Sequence, residues 1–249
     1  MALTFYWRCE ATDFSAANGT TDYSAGSAVG TNVNSPSYSE TARLVGSTPQ
    51  TGLLIDADER VEFSATSIVG ASAGCVALWV TVTSITSDPE IFFEADDVST
   101  AHCFSIVTTA GIETSTGTAK LIINRGQAGV NEVEALSANL ALNTPYFFIA
   151  AWDDTANDRY IGVYNSSGAL IVANEDPTTN WTGTGTPTVF KIGNSGGFRG
   201  YIDNVFIGNA YADKDVFLSN RNITSYASYS TGSSAKAAIA GRHYSRMRA

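Results

Sequence analysis

Apolar residues of this chain fall in short runs, separated by clusters of Gly, Asn, Asp, Ser and Thr, which is the pattern of strands joined by turns. Residues Cys75 to Val82 (CVALWVTV) are apolar at nearly every position, as a central strand of a two-layer sandwich would be. Phe104 to Val107, Lys120 to Asn124 and Tyr146 to Trp152 resemble it. Asp153 to Asp158 (DDTAND) separates FFIAAW from YIGVYN, and Asn165 to Gly168 (NSSG) separates that run from ALIVA, so residues 146 to 173 read as a three-stranded meander. Helical pattern is confined to two pieces, Lys214 to Asn220 with Asp213 as its N-cap and Ala235 to Ala240 before Gly241, both too short to stand alone. No internal repeat is evident. Short strands at this spacing without helices between them predict an all-β sandwich. Residues 224 to 234 (TSYASYSTGSS) read as a linker to a different kind of end.

Composition agrees with one domain. The 249 residues are 44% hydrophobic and 11% aromatic, enough for one sizeable core, and only 15% charged, which excludes coiled coils and highly charged disordered chains. No run approaches eighteen consecutive apolar residues, and Met1 to Glu10 lacks the basic start and apolar stretch of a signal peptide, so a soluble, unprocessed chain is expected, with secretion by another route left open. The net charge of −10 argues against nucleic acid and against anionic membranes as partners of the main surface. That charge is unevenly spread: from Asn220 onward there are five basic residues and no acid, leaving nine basic against 24 acidic residues in 1–219. Cys9, Cys75 and Cys103 have no Cys-x-x-Cys spacing and cannot all pair within one chain, so buried free thiols are expected, although Cys75 and Cys103 lie in runs that would let them meet across a sheet.

The most specific pattern is Thr188 to Asn220, where a strand ending in Ile192-Gly193 is followed by a short loop, then FRGYIDNVFI, then a short helical stretch. Phe198, Gly200, Ile202, Asp203, Val205 and Ile207 match in spacing the closing segment of laminin G-like, concanavalin A-like jelly rolls. Residues 51 to 63 and 75 to 82 resemble the early strands of that family, and residues 145 to 171 its preceding meander, so the likeness covers roughly residues 3 to 225. It implies two antiparallel sheets with a concave face, binding more often than catalysis, and a structural calcium near the first and last strands. By position the resemblance assigns that calcium to Glu10 and Asp203, with carbonyls and water completing the six to eight oxygens the ion takes. The alternative is that Asp203 only hydrogen-bonds backbone to close the sheet.

Catalytic patterns are weak. Glycosidases of related sandwich folds carry Glu-x-Asp-x-Glu on one strand; Asp56 and Asp58 lack a flanking Glu, and Glu132 and Glu134 lack a third carboxylate. The acidic stretches 94 to 97 and 153 to 158 read as solvated turns. His102 in STAHCF, Asp153 or Asp154, and Ser195 in GNSGG occur in the order of a trypsin-like triad, but the residues around the acid do not fit, and FRGYIDNVFI after Ser195 reads as strand where a nucleophile elbow requires a helix. A catalytic residue is therefore not assigned. Four Asn-x-Ser/Thr sequons, at Asn18, Asn165, Asn180 and Asn222, are what so Ser-, Thr- and Asn-rich a chain yields by chance.

Aromatic residues carry the binding signal. Trp181 lies among small polar residues (TTNWTGTGTPT) that offer little to bury it, and Tyr160, Tyr164 and Tyr201 would join it in stacking on sugar faces if they share its side; equally, Trp181 would cap one end of the core. Trp79 and Trp152, in apolar strands, are expected in the core. At the end of the chain Arg242, Tyr244, Arg246 and Arg248 have the composition of a docking peptide for an acidic partner. Together these readings predict a 1–225 jelly roll without catalytic activity that presents a glycan- or surface-binding face, followed by a 226–249 tail that anchors it to a larger assembly. By resemblance to laminin G-like domains among phage structural genes, that assembly is a virion, with the protein as a head decoration, appendage or adhesin. A free lectin is the alternative and a polysaccharide hydrolase or lyase the third reading; self-association is left open.

Overall fold

The computed structural model describes residues 3–9, 30–39, 52–56, 58–84, 90–96, 104–109, 118–124, 131–137, 140–176, 186–193 and 199–223. They form a two-sheet antiparallel jelly-roll sandwich with one helix. Sheet A runs in the order β13 (Leu170–Asp176), β12 (Asp158–Tyr164), β11 (Tyr146–Asp153), β6 (Ala73–Ser84), β15 (Arg199–Gly208), β4 (Gly52–Asp56), β3 (Ser37–Ser39), and β1 (Leu3–Trp7) pairs with the second half of β15. Sheet B runs β10 (Asn131–Ser137), β9 (Thr118–Asn124), β8 (Phe104–Thr108), β7 (Glu90–Asp96), β14 (Val189–Gly193), β5 (Arg60–Ser64), β2 (Thr31–Val33). The helix α1 spans Asp213–Asn220. No helix among the described residues is long and apolar enough to cross a membrane.

Alternation along each strand sends one side chain in two between the sheets, and the core is aromatic at both ends. Phe63 stacks on Phe190 at 5.0 Å and Phe5 meets both edge-on at 5.1 Å. At the other end Trp152 stacks on Phe104 at 4.1 Å while its Nε1–H donates to Gly70 O at 3.1 Å, which satisfies the one polar atom the ring carries inward. Trp79 is also buried, but on the other face of sheet A, in a second cluster with Tyr6, Phe147, Tyr160, Tyr164, Phe206 and Phe217. Cys9 is buried between the sheets and Cys75, a free thiol, in this second cluster, where burial pushes its pKa well above the ordinary value. Cys103 lies outside the described residues.

Two expectations need correction here. The alternation in FRGYIDNVFI predicts one buried face, yet from Ile202 to Gly208 every residue is buried, and Phe217 of α1 packs on Phe206 on the outward side. Asp213 is not the N-cap: Ala212 holds that position, and Asp213 opens the helix with its carboxylate fully buried, accepting from the Ala210 N–H at 3.1 Å. The second helical piece, Ala235 to Ala240, lies outside the described residues, as does the rest of the tail.

Candidate functional site

The outward face of sheet B carries an ion network. Val61, Phe63, Phe190, Ile192, Ala95 and Phe104 point into the core, so their neighbours Glu62, Lys191, Glu94, Asp96 and Ser105 point away from it. Strand register places Thr31, Glu62, Lys191, Glu94 and Ser105 side by side on five successive strands, a row about 19 Å long at the usual interstrand spacing. Lys191 Nζ donates to Glu94 Oε2 at 3.0 Å and to Asp96 Oδ2, and next to it Arg60 Nε donates to Glu62 Oε1 at 2.7 Å. The outward face of a sheet is ordinarily solvated unless something covers it. Glu94 and Asp96 instead keep only 1% and 7% of their surface exposed. Burial opposes the charge of Lys191, but the hydrogen bonds to Asp96 and Glu94 outweigh it and hold the pKa of the ammonium above its ordinary value.

This pair of acids corrects the sequence reading, which placed 94 to 97 in a solvated turn. Glu94 and Asp96 occupy alternate positions of β7, on one face, which is the placement sandwich glycosidases give their carboxylates. A glycosidase, however, needs one carboxyl that hands a proton to the leaving oxygen. Here Lys191 donates to both carboxylates. Acceptors flanked by fixed donors are instead the set that pairs with the hydroxyls of a polyhydroxyl ligand.

The residues expected to bind sit elsewhere. Tyr160 and Tyr164 are on β12 in the second cluster, 7% and 9% exposed, with their hydroxyls hydrogen-bonded to each other; Gly162 between them leaves the room that the Tyr160 ring occupies. Burial raises the pKa of both. Alongside, Lys214 Nζ lies 3.6 Å from the centre of the Tyr211 ring, and the Tyr211 hydroxyl donates to Glu175, which keeps that carboxyl below its ordinary pKa. These contacts clasp α1 to sheet A and leave little ring surface for stacking. Tyr201 is half-buried on the same face of the sheet, but β11 and β6 separate its strand from β12, about 14 Å at the usual spacing. Trp181, Arg242, Tyr244, Arg246 and Arg248 lie outside the described residues, as do His102 and Ser195.

Asp203 sits at an irregularity of β15 against β6, where its Oδ1 accepts the Asn204 N–H at 2.7 Å and Asn204 takes a φ of 43°. Asn204 in turn accepts from the Tyr6 hydroxyl at 2.8 Å and donates to Ile223 O at 2.9 Å, tying the end of the helical segment to the sheet. Among the described residues no three acidic, His or Cys side chains gather as a metal site, and Glu10 lies outside them. Asp153 Oδ1 accepts from the N–H groups of Thr155 and Ala156, ordering the turn that DDTAND predicts. Asp56 is an exposed residue at the end of β4, and Glu132 and Glu134 lie on β10.

No protein-family model matches the chain, and no curated protein matches it. Solved structures do. Domain 4 of AbnA, a GH43 extracellular arabinanase from Geobacillus stearothermophilus, solved in complex with arabinotriose, is similar at a TM-score of 0.56 and 16% identity over 84% of this chain and 92% of that one. The binding domain of botulinum neurotoxin DC, in complex with rat synaptotagmin II, gives 0.61 at 9% identity over 89% and 52%. The enzymatically active domain of bacteriophage CBA120 tailspike protein 2 gives 0.55 at 13% over 79% and 31%. The chain thus spans about half of the neurotoxin domain and under a third of the tailspike, and at these identities the likeness shows a shared sandwich fold.

Proposed function

We propose that the protein is a glycan-binding jelly roll without hydrolytic activity, and that the row on sheet B is its contact face. The observation that carries this reading is the Lys191 ammonium fixed between Glu94 and Asp96, which gives the face donors and acceptors while occupying the carboxylates a hydrolase would use. Sandwiches of the same fold solved with arabinotriose, or described as entering cells through two ganglioside molecules, support the ligand class. The phage tailspike among them supports placing the protein on a virion, with residues 226–249 as the anchor through Arg242, Tyr244, Arg246 and Arg248, and Trp181 as an added stacking ring; kinship with laminin G-like domains belongs to the same proposal.

On a glycan array, the E94Q/D96N double variant is expected to lose at least about tenfold in affinity, the scale of one or two hydrogen bonds to charged groups. Wild-type binding that survives both substitutions would move the site off sheet B. The hydrolase reading has one observation in its favour, the alternate placement of Glu94 and Asp96, and is tested in the same samples: release of new reducing ends from any bound polysaccharide would replace binding by catalysis.

A further inference from the structure

The outward face of sheet A continues along β6, β15 and β4 beyond the cluster under α1. Val80, Val82, Ile55 and Ile202 point into the core, so Thr81, Leu54 and Tyr201 point outward, and register sets Tyr201 between Leu54 on β4 and Thr81 on β6. Tyr201 is half-buried, while Thr81 is 4% exposed and its Oγ1 has no hydrogen-bond partner among the described residues. Two residues along the same strands, Arg199 Nε meets Asp56 Oδ1 at 3.1 Å with both side chains in solvent. A strand position tolerates Val as well as Thr, and a buried hydroxyl without a partner costs stability that Val would avoid. A buried polar group left in this state calls for an explanation, and a bound molecule is one.

We infer that this patch is a second sugar-binding site: a neutral sugar ring stacks on Tyr201, one of its hydroxyls pairs with Thr81 Oγ1, and Arg199 and Asp56 take hydroxyls at the rim. The ligand class rests on the glycan reading above, but the site does not depend on the sheet B row. Stacking on an aromatic face with one buried polar contact beneath is what fixes the orientation of a small polar ligand.

The test is an NMR titration of the full chain with arabinotriose, cellotriose and maltotriose, alongside thermal melts. With at least one sugar, saturable shifts are expected at the Thr81 methyl and the Tyr201 ring, unchanged in E94Q/D96N and weakened at least tenfold in Y201A and T81V. T81V should at the same time melt about 2–4 °C higher, the gain from removing an unsatisfied hydroxyl in a chain of this size. Shifts confined to Lys191 and its neighbours would overturn the second site and leave sheet B standing; shifts confined to Thr81 and Tyr201 would do the reverse. Absence of shifts with all three sugars, or a T81V melting temperature that is unchanged or lower, overturns the inference, the latter because the hydroxyl would then have a partner within the protein.

Discussion

Replacing Lys191 with methionine is expected to destabilise the fold by about 3–5 kcal/mol, the scale of breaking a buried charge pair by removing one member. The reason lies in the positions of the three groups. Glu94 and Asp96 retain 2% and 10% of their side-chain surface in solvent and Lys191 18%, so removal of the ammonium takes a charge-assisted donor from each of two acids that water reaches poorly. For a chain of this length the melting temperature should fall on the order of 10 °C. Adding E94Q and D96N to K191M should return most of the loss, since amides in the same places carry no charge, and that non-additivity is the signature of one network. If K191M costs under about 0.5 kcal/mol by urea unfolding, the three groups behave as an ordinary solvated surface pair and the buried network is wrong. The pH dependence has a definite sign. Because the folded pKa of Lys191 is raised above 10.5, its stabilisation is fully present below that pH and is lost as pH climbs through the raised value. Wild type should therefore lose its advantage over K191M only in the alkaline range above 10.5.

The same network shows where a linear reading of this chain stops. The meander was legible because its turns are local: Asn165 Oδ1 accepts from the N–H groups of Ser167 and Ala169, and Gly168 takes the φ of 81° that closes NSSG. The closing strand was legible from its alternation, but its second buried face depends on Phe217 meeting Phe206 at 5.5 Å, a contact that no strand-period pattern contains. Tyr160 and Tyr164 share a face as their spacing requires; that α1 covers this face is again a tertiary fact. Glu94 and Asp96 were the hardest. Two acids followed by a third look like a solvated turn, and the cation that makes them tolerable inside a sheet is Lys191, 95 residues from Asp96. Long-range charge pairing has no local sequence period, whereas strands and turns do.

The dependence of sheet A on α1 and on the segment leading out of it predicts two very different truncations. A chain ending at residue 225 should keep the wild-type melting temperature to within about 2 °C, a surface-scale change, because the last described anchors are internal to it. Trp79 Nε1 donates to Arg221 O at 2.8 Å, Arg221 Nη2 to Ser167 O at 2.7 Å, and Asn204 to Ile223 O. A chain ending at Gly208 loses all of these, together with buried Val216 and Phe217, and uncovers Tyr6, Trp79, Phe147 and Phe206 at once. Each large apolar side chain returned to water costs about 1.5–3 kcal/mol, and an uncovered aromatic patch of that extent is an aggregation surface. The shorter chain is expected to bind a hydrophobic dye and to be lost from the soluble fraction, whereas the 1–225 chain is expected to stay monodisperse. A soluble 1–208 chain with an unchanged melting temperature would mean that α1 is an ornament on sheet A. A 1–225 chain that melts well below wild type would mean that the tail belongs to the sandwich, and an anchoring role for Arg242, Tyr244, Arg246 and Arg248 would then give way to a structural one.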